Sequence, residues 1–217
     1  MVALIRGLRA ERVLANLERS RSAIAATGRS LDDVQILAAV KYVAAEELPV
    51  LAEAGIELLG ENRAQDLVTK ADAWPGRFTW DFIGHLQSRK VRDVLPYVRY
   101  IHSVAGDSVL AQLSRHAEPE TEVLVEVNVA REPGKSGVDP GELDAFLERC
   151  PVKVVGLMTM PPFTEDPERS RPHFAKLRKL AAKRGLRHLS MGTSQDYVIA
   201  AQEGATIVRL GTSLYAS

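Results

Sequence analysis

Short apolar runs alternate with amphipathic helical segments along most of this chain, and this alternation restricts the possible folds more than any other feature. Strict β/α alternation predicts a parallel sheet whose strands are joined by right-handed helical crossovers. The predicted strands cover residues 34–41, 56–60, 78–84, 100–104, 122–129, 152–158, 188–190 and 207–210.

Helical segments are predicted between these strands at residues 44–54, 63–71, 88–94, 108–116, 140–147, 167–184 and 195–203. A further helix is predicted before the first strand, at residues 8–27, where Gly28 is a suitable C-terminal stop. Eight β/α units can close as a barrel, whereas the alternative, an open doubly wound sheet, commonly has about five to seven strands and a GxGxxG loop. The sequence therefore predicts a single α/β domain over residues 1–217, a (β/α)8 TIM barrel with an extra N-terminal helix that closes the ring.

Composition excludes several classes of function. The chain has 28 lysines and arginines against 28 aspartates and glutamates, so no net basic field attracts nucleic acid or an anionic membrane. A single cysteine, Cys150, excludes an internal disulfide framework and fits a reducing compartment. No signal-peptide-like stretch and no run of about 20 apolar residues is present, so we expect a soluble, cytoplasmic protein, monomeric by default.

Lys41 lies at the carboxyl end of the first predicted strand. A buried lysine is rare without a partner, and one chemical reason for it is an amine that forms a Schiff base. The alternative is a strand-end lysine whose stem packs while its ammonium reaches water. Strand parity places Leu37, Ala39 and Lys41 on one face. If that face is the barrel interior, the amine lies at the mouth where barrels carry their active sites.

The fifth predicted strand also separates into two faces. Its valines fall on one face, suited to packing against helices, and polar residues fall on the other. Polar groups inside a barrel are costly unless they pair or form part of a site. The residues predicted to point inward are Glu122, Leu124, Glu126 and Asn128.

Small and hydroxyl residues follow both of the last two predicted strands, in the segments Ser190-Met191-Gly192-Thr193-Ser194 and Arg209-Leu210-Gly211-Thr212-Ser213. Barrels often bind phosphate in these two loops, through backbone N–H groups and hydroxyls. Alternatively, Ser194 caps the next helix and Gly211 only turns the chain. Two such loops in the two expected places favour a phosphate site.

Arg209 has the inward parity of the eighth predicted strand. An inward arginine needs an acceptor, either a carboxylate such as Glu126 or Glu61, or the ring nitrogen of a bound heterocycle. A Schiff-base lysine, a phosphate site and an arginine at a ring position together indicate pyridoxal 5′-phosphate (PLP). No close His or Cys spacing predicts a metal site. His85 follows the third predicted strand and could lie at the mouth or cap a helix.

The chain closely resembles the pyridoxal-phosphate homeostasis proteins, single-domain relatives of the N-terminal barrel of alanine racemase. The motifs that carry the resemblance are Ala39-Val40-Lys41, Gly60-Glu61-Asn62, Phe82-Ile83-Gly84-His85-Leu86-Gln87, Gly156-Leu157-Met158, Leu189-Ser190-Met191-Gly192 and Val208-Arg209-Leu210-Gly211-Thr212. The chain departs from the family pattern mainly at Val40 and Tyr42, which flank the lysine, and at Asp81, where the family usually has histidine.

The resemblance implies a role for each predicted site residue. Lys41 would carry PLP as an aldimine, and Arg209 would face the pyridine nitrogen. Asn62 and Met158 would lie near the ring. The phosphate would be held by the loops that contain Ser190, Gly192, Ser194, Gly211 and Thr212.

The function implied by the resemblance is vitamin B6 and amino-acid homeostasis, through storage, buffering or delivery of PLP, with PLP-dependent apoenzymes as possible recipients and no established turnover. The alternative is a PLP-dependent amino-acid racemase of low activity. Racemisation needs acid–base groups on both faces of the substrate, and the racemases supply one from an additional C-terminal domain that we do not expect here. A cofactor-independent Schiff-base aldolase is a third possibility, although its lysine usually lies on a later strand.

Overall fold

Eight parallel strands close into a barrel in the computed structural model, which describes residues 4–216. Neighbours in sequence are neighbours in the sheet, and β8 pairs with β1. This topology confirms the predicted (β/α)8 barrel over the open sheet. The strands are β1 Gln35–Ala39, β2 Leu58–Glu61, β3 Thr79–Phe82, β4 Val98–Val104, β5 Glu122–Glu126, β6 Lys153–Met158, β7 His188–Thr193 and β8 Ile207–Leu210.

Helices surround this barrel, and the first of them precedes β1. The first helix ends before Gly28, whose φ of 84° fits a C-terminal stop, and it contacts the second, eighth and ninth helices to complete the outer ring. The helices are α1 Ala10–Ala25, α2 Leu48–Glu53, α3 Ala64–Ala73, α4 Val91–Val94, α5 Asp107–His116, α6 Leu143–Glu148, α7 Arg171–Ala182, α8 Tyr197–Gln202 and α9 Thr212–Tyr215. The short α9 was not predicted.

Three strands, β1, β3 and β5, end earlier than the apolar runs indicate, and β3 ends at Phe82 instead of residue 84. β1 ends at Ala39, and Lys41 lies in the turn that follows. β5 ends at Glu126, so the prediction that Asn128 points into the barrel is wrong. The Asn128 amide instead closes the next loop, accepting from the Glu132 N–H at 3.0 Å and donating to the Glu132 carbonyl at 2.9 Å. An amide that satisfies a loop's backbone groups ends the strand although the apolar run continues.

The two faces of the sheet have different roles. On β5 the outward Val123 and Val125 are fully buried in the layer between barrel and helices, as predicted. The interior is equally close-packed. A Cβ on Gly60 would lie 2.3 Å from Leu37 Cδ2, and one on Gly156 would lie 2.2 Å from the His188 carbonyl oxygen. The barrel interior is therefore a filled core, as is usual for this fold.

No helix within residues 4–216 has both the length and the apolar character needed to cross a membrane.

Candidate functional site

A cavity of about 380 Å³ opens at the carboxyl ends of the strands, where barrel enzymes carry their active sites. It brings together residues from all eight strands or the loops that follow them. All but two of the predicted site residues line it: Lys41, Asn62, Met158, Ser194, Arg209, Gly211 and Thr212. The remaining two, Ser190 and Gly192, lie outside the lining.

Lys41 reaches this cavity from an exposed turn, and a buried ion pair fixes the backbone beside it. Glu61, at the end of β2, is fully buried, and its Oε2 is 2.5 Å from Lys70 Nζ on α3. The same ammonium donates to the Val40 carbonyl at 2.7 Å. The other Glu61 oxygen accepts from the Asn62 N–H at 2.7 Å. This one ion pair therefore fixes the backbone at Val40, next to Lys41, and at Asn62, just after the neighbouring strand β2.

The aromatic ring of Tyr42 sets the surroundings of the amine. Lys41 Nζ lies 4.8 Å from the Tyr42 ring centroid, a cation–π distance. Tyr42 stands where the resembled family usually has a smaller hydroxyl residue, and it lines a second cavity of about 440 Å³ that shares Lys41 with the first.

The loops after β7 and β8 meet at Ser194. Its Oγ accepts from the Gly211 N–H at 3.1 Å, from the Ser213 N–H at 3.2 Å and from the Ser213 hydroxyl at 3.0 Å. Backbone N–H groups and hydroxyls that converge on one point form a suitable site for an anion. Just before Ser194, the backbone requires glycine at position 192, because its φ is 92° and an added Cβ would lie 2.5 Å from the Ala200 Cβ.

Arg209 forms part of the cavity floor. Its Nη1 donates to Ser190 Oγ at 2.5 Å, and its Nη2 donates to the Thr159 carbonyl at 3.0 Å. Burial lowers the pKa of Arg209 to about 10, against the opposing charges of Asp196 and Glu126. The guanidinium is therefore still charged at neutral pH. Among the described residues no carboxylate forms an ion pair with it, so the expected alternative of a salt bridge to Glu126 or Glu61 is not what the structure contains.

Beneath the floor, Ser190 contacts residues that the sequence analysis did not select. Its Oγ lies 2.8 Å from His102 Nδ1, and His102 Nε2 lies 3.0 Å from Asp81 Oδ2. In the sequence, Asp81 stands out only because the resembled family usually has histidine at this position. Strand parity on β3 and β4 is the signal that could have found both residues, because it places them on the interior face with Arg209.

The remaining wall contains an acidic group, Glu126. The Ser136 hydroxyl donates to its Oε2 at 2.8 Å and lies 3.5 Å from His85 Nδ1. Burial raises the pKa of Glu126, although the Ser136 hydrogen bond and Arg209 oppose this shift. His85 lines the mouth, one of its two expected positions. Asn62 also lines the cavity. Its Oδ1 is buried and has no hydrogen-bond partner within residues 4–216.

These groups fit one type of ligand. A primary amine, a fixed cationic donor and a cluster of backbone and hydroxyl donors match the aldehyde, ring nitrogen and phosphate of PLP, and Asn62 offers an unused acceptor. Within the part of the chain that the structure describes, no cluster of three His, Cys, Asp or Glu residues could hold a metal ion.

Comparison with known proteins agrees with this geometry. The family described as alanine racemase, N-terminal domain, matches residues 11–217. The pyridoxal phosphate homeostasis protein of Aquifex aeolicus is 39% identical over 94% of this chain and 96% of its own length. The chain belongs to the pyridoxal phosphate homeostasis protein family.

Solved structures of a small protein and of a larger enzyme have folds similar to that of this chain. PipY from Synechococcus elongatus, solved with PLP bound, superimposes with a TM-score of 0.80 at 30% identity, covering 94% of this chain and all of PipY. Alanine racemase from Corynebacterium glutamicum superimposes with a TM-score of 0.72 at 16% identity, and the match covers 61% of that enzyme. The second likeness shows a shared barrel fold.

Proposed function

We propose that this protein binds PLP in the cavity at the barrel mouth and acts in vitamin B6 and amino-acid homeostasis by storing, buffering or delivering the cofactor. One observation supports this most strongly: a lysine amine, a buried arginine and a two-loop donor cluster line a single cavity of about 380 Å³. The homeostasis proteins and PipY supply the precedent.

Each part of the cavity has a separate task in this proposal. When bound, the cofactor supplies an aldehyde that condenses with primary amines and a ring that withdraws electrons. Lys41 provides the amine, with Asn62 and Met158 beside the ring. The phosphate is held by Ser194, Gly211 and Thr212, which line the cavity.

Arg209 makes the site better suited to holding the cofactor than to using it. A guanidinium only donates hydrogen bonds, so it binds a ring nitrogen that carries no proton. A ring whose nitrogen carries no proton withdraws electrons less strongly than a ring whose protonated nitrogen pairs with a carboxylate. The residues at the floor therefore favour retention of PLP over rapid chemistry on an amino acid.

Delivery requires that the cofactor can leave again. Lys41 is exposed to solvent in its turn, so small amines and water can reach the bond that it forms. We propose PLP-dependent apoenzymes as the recipients and a monomer, in the cytoplasm, as the working form. The single cysteine of the chain supports the reducing compartment.

A racemase of low activity is the second candidate. The observation that favours it is Glu126, an acidic group with a raised pKa in the same cavity as Lys41, because racemisation needs two acid–base groups. Deuterium exchange at the Cα of amino acids in D2O, measured by mass spectrometry or NMR, tests it. Exchange that requires both Lys41 and Glu126 would support turnover, and its absence in PLP-loaded protein would leave only the binding function.

Titration of the purified protein with PLP, followed by visible absorption, tests the main proposal. A lysine-bound band is expected in the unmutated protein and in Lys90→Ala, whose lysine pairs with Asp93 outside the cavity. The band is expected to be absent in Lys41→Ala. Absence of any band from the unmutated protein would contradict both the homeostasis and the racemase functions.

A further inference from the structure

A continuous chain of hydrogen bonds crosses the barrel interior from the cavity floor toward the opposite end. It runs from Arg209 Nη1 to Ser190 Oγ (2.5 Å), from Ser190 Oγ to His102 Nδ1 (2.8 Å) and from His102 Nε2 to Asp81 Oδ2 (3.0 Å). It ends at Arg99, which binds the Asp81 carboxylate through Nη2 at 2.6 Å and Nε at 3.1 Å. Asp81, His102 and Ser190 are fully buried, and the Arg99 side chain is 27% exposed.

One assignment of the donors along this chain leaves no buried proton without an acceptor. A guanidinium has no acceptor, so Arg209 must donate to Ser190 Oγ. Among the described residues, His102 Nδ1 is the acceptor within reach of the Ser190 hydroxyl proton, and in this assignment Nδ1 carries no proton. The imidazole is therefore neutral, with its proton on Nε2 and directed at Asp81.

The electrostatics agree with this assignment. Burial lowers the pKa of His102, outweighing the opposing effect of Asp81, and the arginines at 99 and 209 add to the decrease. Burial alone would raise the pKa of Asp81, but its hydrogen bonds and charge interactions with His102 and Arg99 lower it overall. Asp81 is therefore ionised and His102 neutral at neutral pH.

We infer that Asp81, His102 and Ser190 are positioning residues that fix the guanidinium of Arg209 on the cavity floor, so that the site selects a ring with an acceptor nitrogen. This inference rests on the proposed function for its ligand and on the hydrogen-bond chain for its mechanism.

The arrangement solves a particular electrostatic problem. A buried guanidinium needs compensation, yet a carboxylate in direct contact would occupy the donors that the ligand requires. Here the negative charge of Asp81 lies beyond two neutral groups, Ser190 and His102, whose polarised hydrogen bonds carry part of its effect. The Thr159 carbonyl engages the second η nitrogen, so the guanidinium is held at both η nitrogens. Nη2 also donates to Met160 Sδ at 2.8 Å, so one Nη1 proton and the Nε proton of the guanidinium remain for a ligand.

The first test needs no cofactor. NMR of ring-labelled histidine should show His102 still neutral, with its proton on Nε2, at about pH 6, where an ordinary imidazole is largely charged. The exposed His116 serves as the internal reference. The charged and titratable groups around the His102 ring are Asp81, Arg99, Tyr100, Arg209 and His188. A doubly protonated His102 at pH 6, or a proton on Nδ1, would overturn the inference.

The second test compares PLP with its carbocyclic analogue, in which C–H replaces the ring nitrogen. The unmutated protein should bind PLP about tenfold more tightly than the analogue, the size expected for one hydrogen bond to a charged group. In Ser190→Ala this ratio should fall below about threefold, because the guanidinium loses its support. Ser20→Ala, which removes a buried hydroxyl bond to the Asn16 carbonyl on α1, should keep the full ratio.

Asp81→Asn serves as a second variant if Ser190→Ala fails to fold, and it should lower the ratio in the same direction. An unchanged ratio in a folded variant of either kind would overturn the inference. If the unmutated protein bound neither compound, the proposed function would fail, and the histidine measurement would still decide whether the hydrogen-bond chain exists.

Discussion

The two sides of the cavity offer a ligand different kinds of contact. On one side, the loops after β7 and β8 offer backbone N–H groups and small hydroxyls that meet at Ser194. On the other side, one amine, that of Lys41, stands beside a chain fixed by the buried pair of Glu61 and Lys70. The loop side distributes its contacts over several groups, whereas the lysine side depends on single side chains.

This difference has consequences for mutation. A backbone N–H survives any single substitution except one to proline, so other substitutions on the loop side should have graded effects. On the lysine side, no second amine among the described cavity-lining residues can replace that of Lys41. Removing Glu61 or Lys70 would also leave the charge of the other residue buried without its partner. We therefore expect abrupt losses on the lysine side and gradual ones on the loop side.

The largest effect is expected from Lys41→Arg. This change keeps a positive charge at the mouth but removes the only amine among the described residues that line the cavity, so PLP affinity should fall by about 100-fold or more. Equilibrium dialysis with radiolabelled PLP measures it. Retention of near-normal affinity would mean that the loop side alone binds the cofactor and that the two sides are not unequal.

Glu61→Gln should produce the largest loss of stability. It leaves the Lys70 ammonium buried without its carboxylate, which typically costs about 3–5 kcal/mol. Urea unfolding at neutral pH measures the change. The matched control is Glu18→Gln, which breaks an exposed pair with Arg21 and should cost at most about 0.5 kcal/mol. A similar small cost in both variants would remove the distinction between the two sides.

Ser194→Ala should have a moderate effect on the loop side. The backbone donors of Gly211 and Ser213 remain, so PLP affinity should fall only about three- to tenfold. Pyridoxal, which lacks the phosphate, should bind the variant and the unmutated protein equally. Ser114→Ala, an exposed change on α5, is the control. A loss as large as that of Lys41→Arg would show that the loop side also depends on one side chain.

The smallest effect is expected at Glu126, on the wall between the two sides. Its pKa is raised by burial, so the folded state binds a proton more readily than the unfolded state. The contribution of this carboxyl to stability is therefore full below its unfolded pKa and is lost as pH rises through the folded pKa.

Glu126→Gln, which cannot ionise, should leave the free energy of unfolding nearly unchanged at about pH 4 and raise it by up to about 1 kcal/mol at about pH 8. Denaturant unfolding at both pH values checks this, with the exposed Glu11→Gln as control. A loss of stability at the higher pH would show that the ionised carboxylate is satisfied in the folded protein.

The sequence carried enough information for the barrel because each β/α unit has its own apolar period. Residues that act through one strand end, such as Lys41 after β1 or Arg209 on β8, could be located by parity and by their position in the alternation. Asn128 was misplaced because an apolar run does not reveal that a side chain will close the next loop.

The contacts beneath the floor could not be predicted in the same way. Asp81, His102, Ser190 and Arg209 come from four different strands, and only the closure of the sheet brings them together. The local sequence around Ser190 does not show whether its hydroxyl points into the cavity or into the barrel interior. The hydroxyl points into the interior because it bonds to His102, which is distant from it in sequence.

The most direct test of the central claim is to load the protein with PLP, reduce it with borohydride and map the modified lysine by peptide mass spectrometry. One cofactor per chain, fixed to Lys41, is expected. Modification spread over surface lysines, or located on a lysine outside the cavity, would contradict it.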